Sequence, residues 1–147
     1  MTKEQTTADG FSYTLERTLE APVAAVWNAW TTPEPYAQWA YAAPGSVEMD
    51  VRPGGKWKAT VVTPDGGEFP LTGSYAEVEV NRRLVTGMDV PGKDEPALMT
   101  VELAEEGAHG TRLTVAQTCD TADQRDTAEQ GTTMLLDSLT AFLKSAN

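Results

Sequence analysis

The two side chains best suited to catalysis in this 147-residue chain are a lone histidine and a lone cysteine. His109 lies in the segment Gly107-Ala108-His109-Gly110, whose glycines predict a solvent-exposed hairpin turn. A general base needs its substrate within hydrogen-bond reach and shelter from bulk water, which a hairpin tip rarely provides. Cys119 has no second cysteine or nearby histidine to activate it, so we expect a packed, inert thiol. The sequence therefore predicts no catalytic histidine or cysteine.

The paired carboxylates of the sequence are predicted to lie on the surface. Glu48 and Asp50 alternate with apolar residues, so both point outwards if the apolar face of their strand is buried. Glu77 and Glu79 show the same alternation, although Tyr75 leaves open which face of that strand turns inwards. Further acids stand at the start of the last helix, where negative charge favourably opposes the helix dipole: Asp120, Asp123, Asp126 and Glu129. None of these needs a metal, and one cysteine with one histidine cannot form the usual zinc site. We predict no metal, no disulfide and no cofactor.

The acidic composition excludes some classes of partner. The chain carries 22 acidic and 11 basic residues, a formal net charge of -11, so its field repels polyanions and we predict no nucleic-acid partner. Residues 1–10 are polar, and no stretch approaches the roughly 20 apolar residues that a membrane span needs. We therefore expect a cytoplasmic protein without membrane contact, with a flexible tail at residues 1–10 and a single domain at residues 11–147.

Alternation of apolar and polar residues predicts seven strands in one antiparallel sheet. The first strand runs over about residues 11–20, and two short helices follow it, beginning near Pro22 and Pro33. Six more strands are predicted near 46–52, 55–63, 68–79, 83–90, 97–105 and 110–119. Their connections have hairpin length, which favours antiparallel neighbours. The chain ends in a long amphipathic helix, so the fold class is α+β with the sheet packed on that helix.

Two glycine-containing segments carry specific predictions. Arg52-Pro53-Gly54-Gly55 joins two antiparallel strands and precedes no helix, so it is interpreted as a tight turn and sheet bend rather than a phosphate-binding loop. Gly131 lies inside the last helix, where glycine costs roughly 1 kcal/mol relative to alanine. We therefore expect Gly131 to approach the sheet closely.

Four segments of the sequence together resemble a known family. They are RTLEAPVAAVWNAWTTPEPYAQW, DVRPGGKW, DGGEFPLTGSYAEVEVNRRLV and GTRLTVAQ, in this order. Over roughly residues 11–145 the chain is similar to the activator of heat-shock-protein-90 ATPase homologue family, within the START-like or SRPBCC (birch-pollen-allergen-like) superfamily. The resemblance implies a helix-grip fold, in which the long helix and the curved sheet enclose a cavity, and a bacterial-type stress-related protein. Members commonly carry Gly-Trp early in the last helix, whereas the pair here is Gly131-Thr132, which implies a wider or wetter cavity at that point.

The resemblance also implies which side chains face the cavity. The candidates are Trp39, Trp57, Tyr75, Met88, Met99, Leu135, Leu139 and Phe142. Large aromatic and sulfur-containing side chains suit a flat or apolar ligand. The predicted function is the binding of a small hydrophobic or aromatic molecule between the sheet and the C-terminal helix.

Two alternative functions stay open at this point. One is an enzyme of the cyclase or hydratase type, in which a polar group such as Tyr75, Asp89 or Arg17 polarises a carbonyl; this rests on analogy with the fold. The other is a cochaperone that stimulates a chaperone ATPase, as the family name suggests. The oligomeric state is also open, with a homodimer among the alternatives.

Overall fold

One seven-stranded antiparallel sheet with helices on one face forms the body of the molecule. A computed structural model describes residues 11–89, 92, 94, 96–119 and 121–146. Its elements are β1 (Phe11–Leu19), α1 (Val23–Thr31), α2 (Pro33–Trp39), β2 (Glu48–Met49), β3 (Lys56–Val62), β4 (Glu68–Glu79), β5 (Arg83–Met88), β6 (Ala97–Glu106), β7 (Gly110–Cys119) and α3 (Ala122–Ala146). The predicted order of elements and the helix-grip architecture are confirmed. The tail predicted at residues 1–10 lies outside the described residues.

The strands are hydrogen-bonded in the order β1-β7-β6-β5-β4-β3-β2. From β2 to β7 each strand pairs with its neighbour in sequence, as hairpin-length connections predict. β1 differs, because it pairs with β7 in a register that places Tyr13 opposite Gln117 and Leu15 opposite Val115. The sheet therefore joins the first strand of the described chain to the last one.

The helices cover one face of the sheet, which we call the inner face. α3 lies against β1 and β7, and α1 lies against β6 and β7. The hydroxyl of Tyr13 meets Thr132, and the guanidinium of Arg17 meets Asp137, both on α3. Because side chains alternate across a strand, the other inner-face positions can be assigned from these two. The core between sheet and helices includes the fully buried residues Leu19, Val26, Trp39, Leu84, Leu113, Val115, Leu136 and Leu139.

Residues Arg52 to Gly55 form a tight turn, as predicted. Gly54 has a φ of 83°, which favours glycine, and a Cβ added to Gly55 would lie 1.9 Å from the carbonyl oxygen of Asp50. The Nε of Arg52 donates to the Asp50 carboxylate at 2.8 Å. The N–H of Gly54 donates to the carbonyl of Tyr75 at 2.8 Å. The turn is therefore tied to β4, and the paired strand before it is shorter than predicted, covering only Glu48–Met49.

A β-bulge in β4 decides which of its side chains point inwards. The pairing with β5 shifts between Tyr75 and Glu77, so Ala76 is the extra residue of the bulge. Tyr75 and Val78 consequently both pack in the core, while Glu77 and Glu79 are exposed. The predicted surface position of the two acids is confirmed, and the inward face that alternation left open is the one with Tyr75.

The two short helices bring aromatic rings to the inner face. Pro22 is the N-cap of α1, one position earlier than a first helical residue, whereas Pro33 opens α2 as predicted. The hydroxyl of Thr32 donates to Asn28 Oδ1 at 2.8 Å and does not cap α2. Trp39 ends α2 with its indole 1% exposed. The proline positions therefore set the helix starts without a side-chain cap.

The prediction that Gly131 approaches the sheet is wrong. Gly131 is exposed, and a Cβ added to it would meet no atom within 4 Å. The glycine thus lowers the helix propensity of α3 without a packing reason in the described structure.

Replacing Gly131 with alanine is therefore expected to stabilise the protein by about 1 kcal/mol, because alanine has the higher helix propensity and the site is open. Chemical denaturation measures the difference. Gly107→Ala is the matched control: it also faces open space, but its φ of 70° strains any other residue, so it should destabilise. A loss of stability in Gly131→Ala would contradict the expectation.

Candidate functional site: a groove at the open end of the sheet

Three rows of cross-strand neighbours line the inner face. The apolar row consists of Leu15, Val115, Val101, Leu84 and Val78. The polar row beside it consists of Tyr13, Gln117, Met99, Thr86 and Tyr75. The terminal row, nearest the end of the sheet, consists of Ala97, Met88, Gly73, Trp57 and Met49.

Burial decreases along these rows towards one end of the sheet. In the apolar row the three central residues are at most 2% exposed, and only Leu15 and Val78 at its two ends are half-buried. In the polar row the three central residues are half-buried between the buried Tyr13 and Tyr75, and in the terminal row every residue except Gly73 is half-buried. A side chain on the helix-covered face stays half-buried only where the helices leave space above it. The inner face is therefore open at the end marked by the terminal row.

A groove of about 1070 Å³ lies at this end, and we call it the open-end groove. Its walls come from the ends of β1, β6 and β7, the residues before β6, and the first turns of α3. The lining draws on both faces of the sheet: Gln117 and Ala128 line it from the helix-covered side, whereas Leu98 and Thr100 alternate with the inner-face residues of β6 and line it from the outer face. Asp94 is the one charged residue among the described lining. Ligand pockets commonly measure roughly 300–1000 Å³. The groove is therefore large enough for a small organic molecule.

The open-end groove is continuous with the inner face through two cross-strand pairs. Gln117 lines the groove and pairs with Met99, and Ala97 lines the groove and pairs with Met88. Cross-strand partners lie about 5 Å apart. Met88 and Met99, both predicted cavity residues, therefore adjoin the groove.

A buried polar cluster stands at the inner wall of the groove. The hydroxyl of Tyr13 donates to Gln117 Oε1 at 2.7 Å and lies 2.8 Å from the hydroxyl of Thr132. Tyr13 and Thr132 are each 5% exposed. The hydroxyl of Thr132 thus bonds to β1 at the position where the family resemblance implied a wider or wetter cavity, and that cavity stays a prediction.

The eight predicted cavity residues divide by burial. Trp39, Tyr75 and Leu139 are 1%, 3% and 0% exposed and belong to the core. Four more are partly buried and pack against that core: Trp57, Met99, Leu135 and Phe142. Met88 is half-buried in the terminal row. Most of the eight residues thus belong to one core or pack against it. Other residues line the open-end groove, so ligand contact by the eight stays a prediction.

Trp57 lies across a glycine of the neighbouring strand. A Cβ on Gly73 would stand 2.6 Å from the indole Nε1 of Trp57 and 1.9 Å from the carbonyl oxygen of Gly87. The same Nε1 donates a hydrogen bond to the carbonyl oxygen of Gly87 at 3.2 Å. The missing side chain at Gly73 therefore makes room for the ring that fills the terminal row.

Three tyrosines of the inner side are held neutral by burial. Burial raises the pKa of Tyr36 to about 12. Burial also raises the pKa of Tyr75, with smaller contributions from the nearby Tyr36 and Asp50. The pKa of Tyr13 is raised mainly by burial, against the hydrogen bond with Thr132, which lowers it. These phenols therefore keep their protons at neutral pH, and that of Tyr13 donates to Gln117.

The protein should lose stability in alkaline solution. A pKa that folding raises gives stability that is complete below the unfolded value of about 10 and is lost as the pH rises through the folded value. For Tyr36 this window runs from about pH 10 to about pH 12, with a loss on the order of 2 kcal/mol. Denaturation curves across this range measure the loss. Tyr36→Phe should show a smaller loss, and an identical pH dependence would contradict the assignment.

The structure does not bring the three polar residues of the enzyme alternative together. Arg17 contacts Asp137 at 3.2 Å. Asp89 is exposed and accepts a hydrogen bond from the hydroxyl of Thr72 at 2.8 Å. The hydroxyl of Tyr75 makes no hydrogen bond with a described residue. The three are therefore not brought together, and Tyr75 lies near Tyr36 and Asp50 instead.

The other residues considered for catalysis or metal binding lie at the kinds of position that the sequence predicted. His109 is exposed in the turn before β7, and Glu48 and Asp50 are exposed beside β2. Cys119 ends β7 as a half-buried free thiol whose pKa is raised by burial. Asp120 lies outside the described residues. Within those residues, no three potential ligands cluster as a metal site.

A second groove of about 1070 Å³ runs between α2, the segment after it, β3 and α3. It is lined mainly by apolar residues, among them the exposed side chains of Tyr41, Val62 and Met134. It lies apart from the polar cluster. The open-end groove is the better candidate site because polar groups converge at its inner wall.

Sequence reasoning missed the polar cluster, although a signal was present. Gln117 comes after Leu113 and Val115 at every second position of β7, so it is a polar residue at an inward position. Thr132 likewise falls within the apolar stripe of α3. A polar side chain that interrupts an apolar face needs a buried partner, and pairing such interruptions would have indicated the cluster.

Fold and groove together define the class of protein as a helix-grip domain with a groove beside its long C-terminal helix. Residues 20–144 match the family model described as Activator of Hsp90 ATPase homolog 1-like protein. The chain therefore belongs to that family, which confirms the resemblance drawn from its motifs.

Solved structures of similar proteins extend over nearly the whole chain. A protein from Nitrosomonas europaea is 27% identical with a TM-score of 0.79, covering 96% of this chain and 98% of its own. An uncharacterised protein from Rhizobium leguminosarum is 30% identical with a TM-score of 0.68, covering 95% and 97%. An AHSA1-like protein from Aeromonas hydrophila is 25% identical with a TM-score of 0.73, covering 92% and 94%. A search of curated proteins gave no match.

The helices provide one observation relevant to the predicted absence of membrane contact. Among the helices of the described residues, none combines the length and apolar character that a membrane crossing requires.

Proposed function

We propose that the protein binds a small, uncharged, mainly hydrophobic or aromatic molecule in the open-end groove. The observation that carries this proposal is the decrease in burial along the inner face, from an apolar row whose three central residues are fully buried to a terminal row in which every residue except Gly73 is half-buried. The groove of about 1070 Å³ lies where that decrease ends. A net charge of -11 and Asp94 in the lining disfavour anionic ligands.

Ligand binding is testable without knowing the natural ligand. Native mass spectrometry of the purified protein should detect a co-purifying small molecule, and a library of uncharged aromatic compounds should contain members that raise the melting temperature. A ligand at about 100 times its dissociation constant stabilises by roughly 2.7 kcal/mol. Failure of the whole library to shift the melting temperature would refute the proposal.

A variant that fills the groove locates the binding site. Ala128 is half-buried on α3 and lines the groove, so Ala128→Phe should abolish binding of any library member by occupying its space. Ala141→Phe makes the same change at an exposed position of the same helix and should leave binding unchanged. Equal loss in both variants would place the ligand elsewhere.

Stimulation of a chaperone ATPase is the alternative that the family description supports. An Hsp90 ATPase assay with and without the protein tests it directly. An enzyme of the cyclase or hydratase type has weaker support, because Arg17 and Asp89 are engaged elsewhere.

A further inference from the structure

We propose that Gln117 recognises a carbonyl-type oxygen of the ligand by donating a hydrogen bond from its side-chain amide, with Tyr13 and Thr132 as the residues that hold the amide in place. The inference rests on the proposed function, since it names the chemistry of the molecule that the open-end groove takes. The ligand class is an uncharged aromatic or apolar molecule with at least one hydrogen-bond acceptor.

The direction of the hydrogen bonds in the cluster can be deduced by counting protons. A phenol has one proton, and that of Tyr13 is donated to Gln117 Oε1, which can only accept. The contact of 2.8 Å between the hydroxyls of Tyr13 and Thr132 therefore requires Thr132 to be the donor. Thr132 thus donates to Tyr13, and Tyr13 donates to the amide oxygen of Gln117. These two hydrogen bonds turn the oxygen end of the amide towards the protein.

The hydroxyl of Thr132 behaves differently from those of neighbouring threonines on α3. Thr133 donates to the carbonyl of Glu129, and Thr140 donates to that of Leu136, both at 2.8 Å. Such bonds within the helix are the usual way for a helical threonine to satisfy its hydroxyl. Thr132 instead directs its hydroxyl towards β1. Its proton is therefore committed to the cluster.

The amide nitrogen of Gln117 is left with two N–H groups at the groove. Gln117 lines the groove and is half-buried, and its Nε2 has no hydrogen-bond partner among the described residues. A donor that a ligand covers without accepting from it loses its hydration at a cost of about 1–3 kcal/mol. The groove therefore favours a ligand whose acceptor meets Nε2 and disfavours one that covers it with hydrocarbon alone.

Neutral acceptors fit this donor better than anions. Asp94 lines the same groove, and the chain carries a net charge of -11, so a carboxylate ligand would meet repulsion. Among compounds of similar shape, we expect the carbonyl compound to bind most tightly, the hydrocarbon less tightly and the carboxylate most weakly.

Three probes of similar shape test the inference: fluorenone, fluorene and fluorene-2-carboxylate. Wild-type protein should bind fluorenone about tenfold more tightly than fluorene, as one hydrogen bond provides, and fluorene-2-carboxylate more weakly than either. In Gln117→Leu the preference for fluorenone should disappear while fluorene still binds. Gln130→Leu makes the same change at an exposed position of α3 and should keep the preference.

The positioning role of the cluster has its own readout. In nuclear magnetic resonance spectra, the side-chain N–H signals of Gln117 should shift when fluorenone is added and shift less with fluorene. Tyr13→Phe and Thr132→Val should reduce both that difference and the fluorenone preference, whereas Thr132→Ser, which keeps the hydroxyl, should restore them. A merely structural role would leave the two probes equally affected.

The outcomes separate this inference from the proposed function. If fluorene and fluorenone bind wild-type protein equally well and the Gln117 signals respond to neither, ligand binding stands and the role of Gln117 is refuted. Tighter binding of fluorene-2-carboxylate would also refute it. If none of the three binds and the wider library fails as well, both proposals fall. The comparison of probes on wild-type protein remains decisive even if a variant does not fold.

Discussion

Replacing Trp39 with alanine is expected to lower the free energy of unfolding by about 3–5 kcal/mol, the range found for large aromatic residues removed from cores. The indole is 1% exposed and makes edge contacts with two rings: its centroid lies 4.7 Å from that of Trp30 and 5.1 Å from that of Tyr36. Its Nε1 also donates to the carbonyl of Ala29 at 2.8 Å. The substitution thus removes core volume, two ring contacts and the bond that ties α2 to α1.

Urea denaturation followed by circular dichroism measures the effect of Trp39→Ala. Phe69→Ala is the control, because this ring is 59% exposed and its removal should change stability by about 0.5 kcal/mol or less. If both variants lost the same stability, the packing and hydrogen bond of Trp39 could not contribute to stability as stated.

Gly73→Ala is expected to destabilise by about 3 kcal/mol or more, because overpacking at a site that cannot relax lies at the upper end of such effects. The added Cβ would stand 1.9 Å from the carbonyl oxygen of Gly87 and 2.6 Å from Trp57 Nε1. The indole can move aside, but the carbonyl belongs to the backbone of β5. The strands would therefore have to separate locally, next to the open end of the inner face.

A double variant separates the two contacts of Gly73. Adding Trp57→Ala to Gly73→Ala removes the clash with the ring and leaves the clash with the Gly87 carbonyl. Gly73→Ala should therefore destabilise the Trp57→Ala variant less than it destabilises the wild-type protein, but the loss should not vanish. The double-variant cycle by chemical denaturation measures the remaining loss. Full recovery would mean that the ring, not the neighbouring strand, makes the position intolerant.

Most of the fold could be predicted because its information is local. Alternation along β1 and β7 gave the strands nearly to their observed ends, and hairpin-length connections gave the antiparallel neighbours. The limits of β2 and the face of Tyr75 could not be obtained this way. Both depend on a local break in alternation, the turn at Gly54 and the bulge at Ala76. Beyond such a break, alternation no longer predicts which face of the sheet a side chain occupies.

The candidate site was less predictable because its parts come from distant places in the chain. Tyr13 and Thr132 are 119 positions apart, and their contact depends on how α3 lies across β1. No local pattern specifies that placement. Gly131 is a second case in which tertiary packing could not be predicted. Its presence in a helix indicated close packing, but the helix turns this residue towards solvent. Residue type can indicate an unusual position, whereas the direction it faces is set by tertiary packing.

The pairing of β1 with β7 has a consequence for how the molecule is made. Tyr13 meets Gln117, 104 positions later, so β1 leaves the ribosome long before its hydrogen-bonding neighbour exists. The hairpins from β2 to β6 can form as they emerge, but β1 must wait with Leu15 and Leu19 uncovered. Closing so long a loop is slow, and an unpaired strand of this kind is prone to associate with other chains. We therefore expect completion of the sheet by β1 to be the step at which folding and aggregation compete.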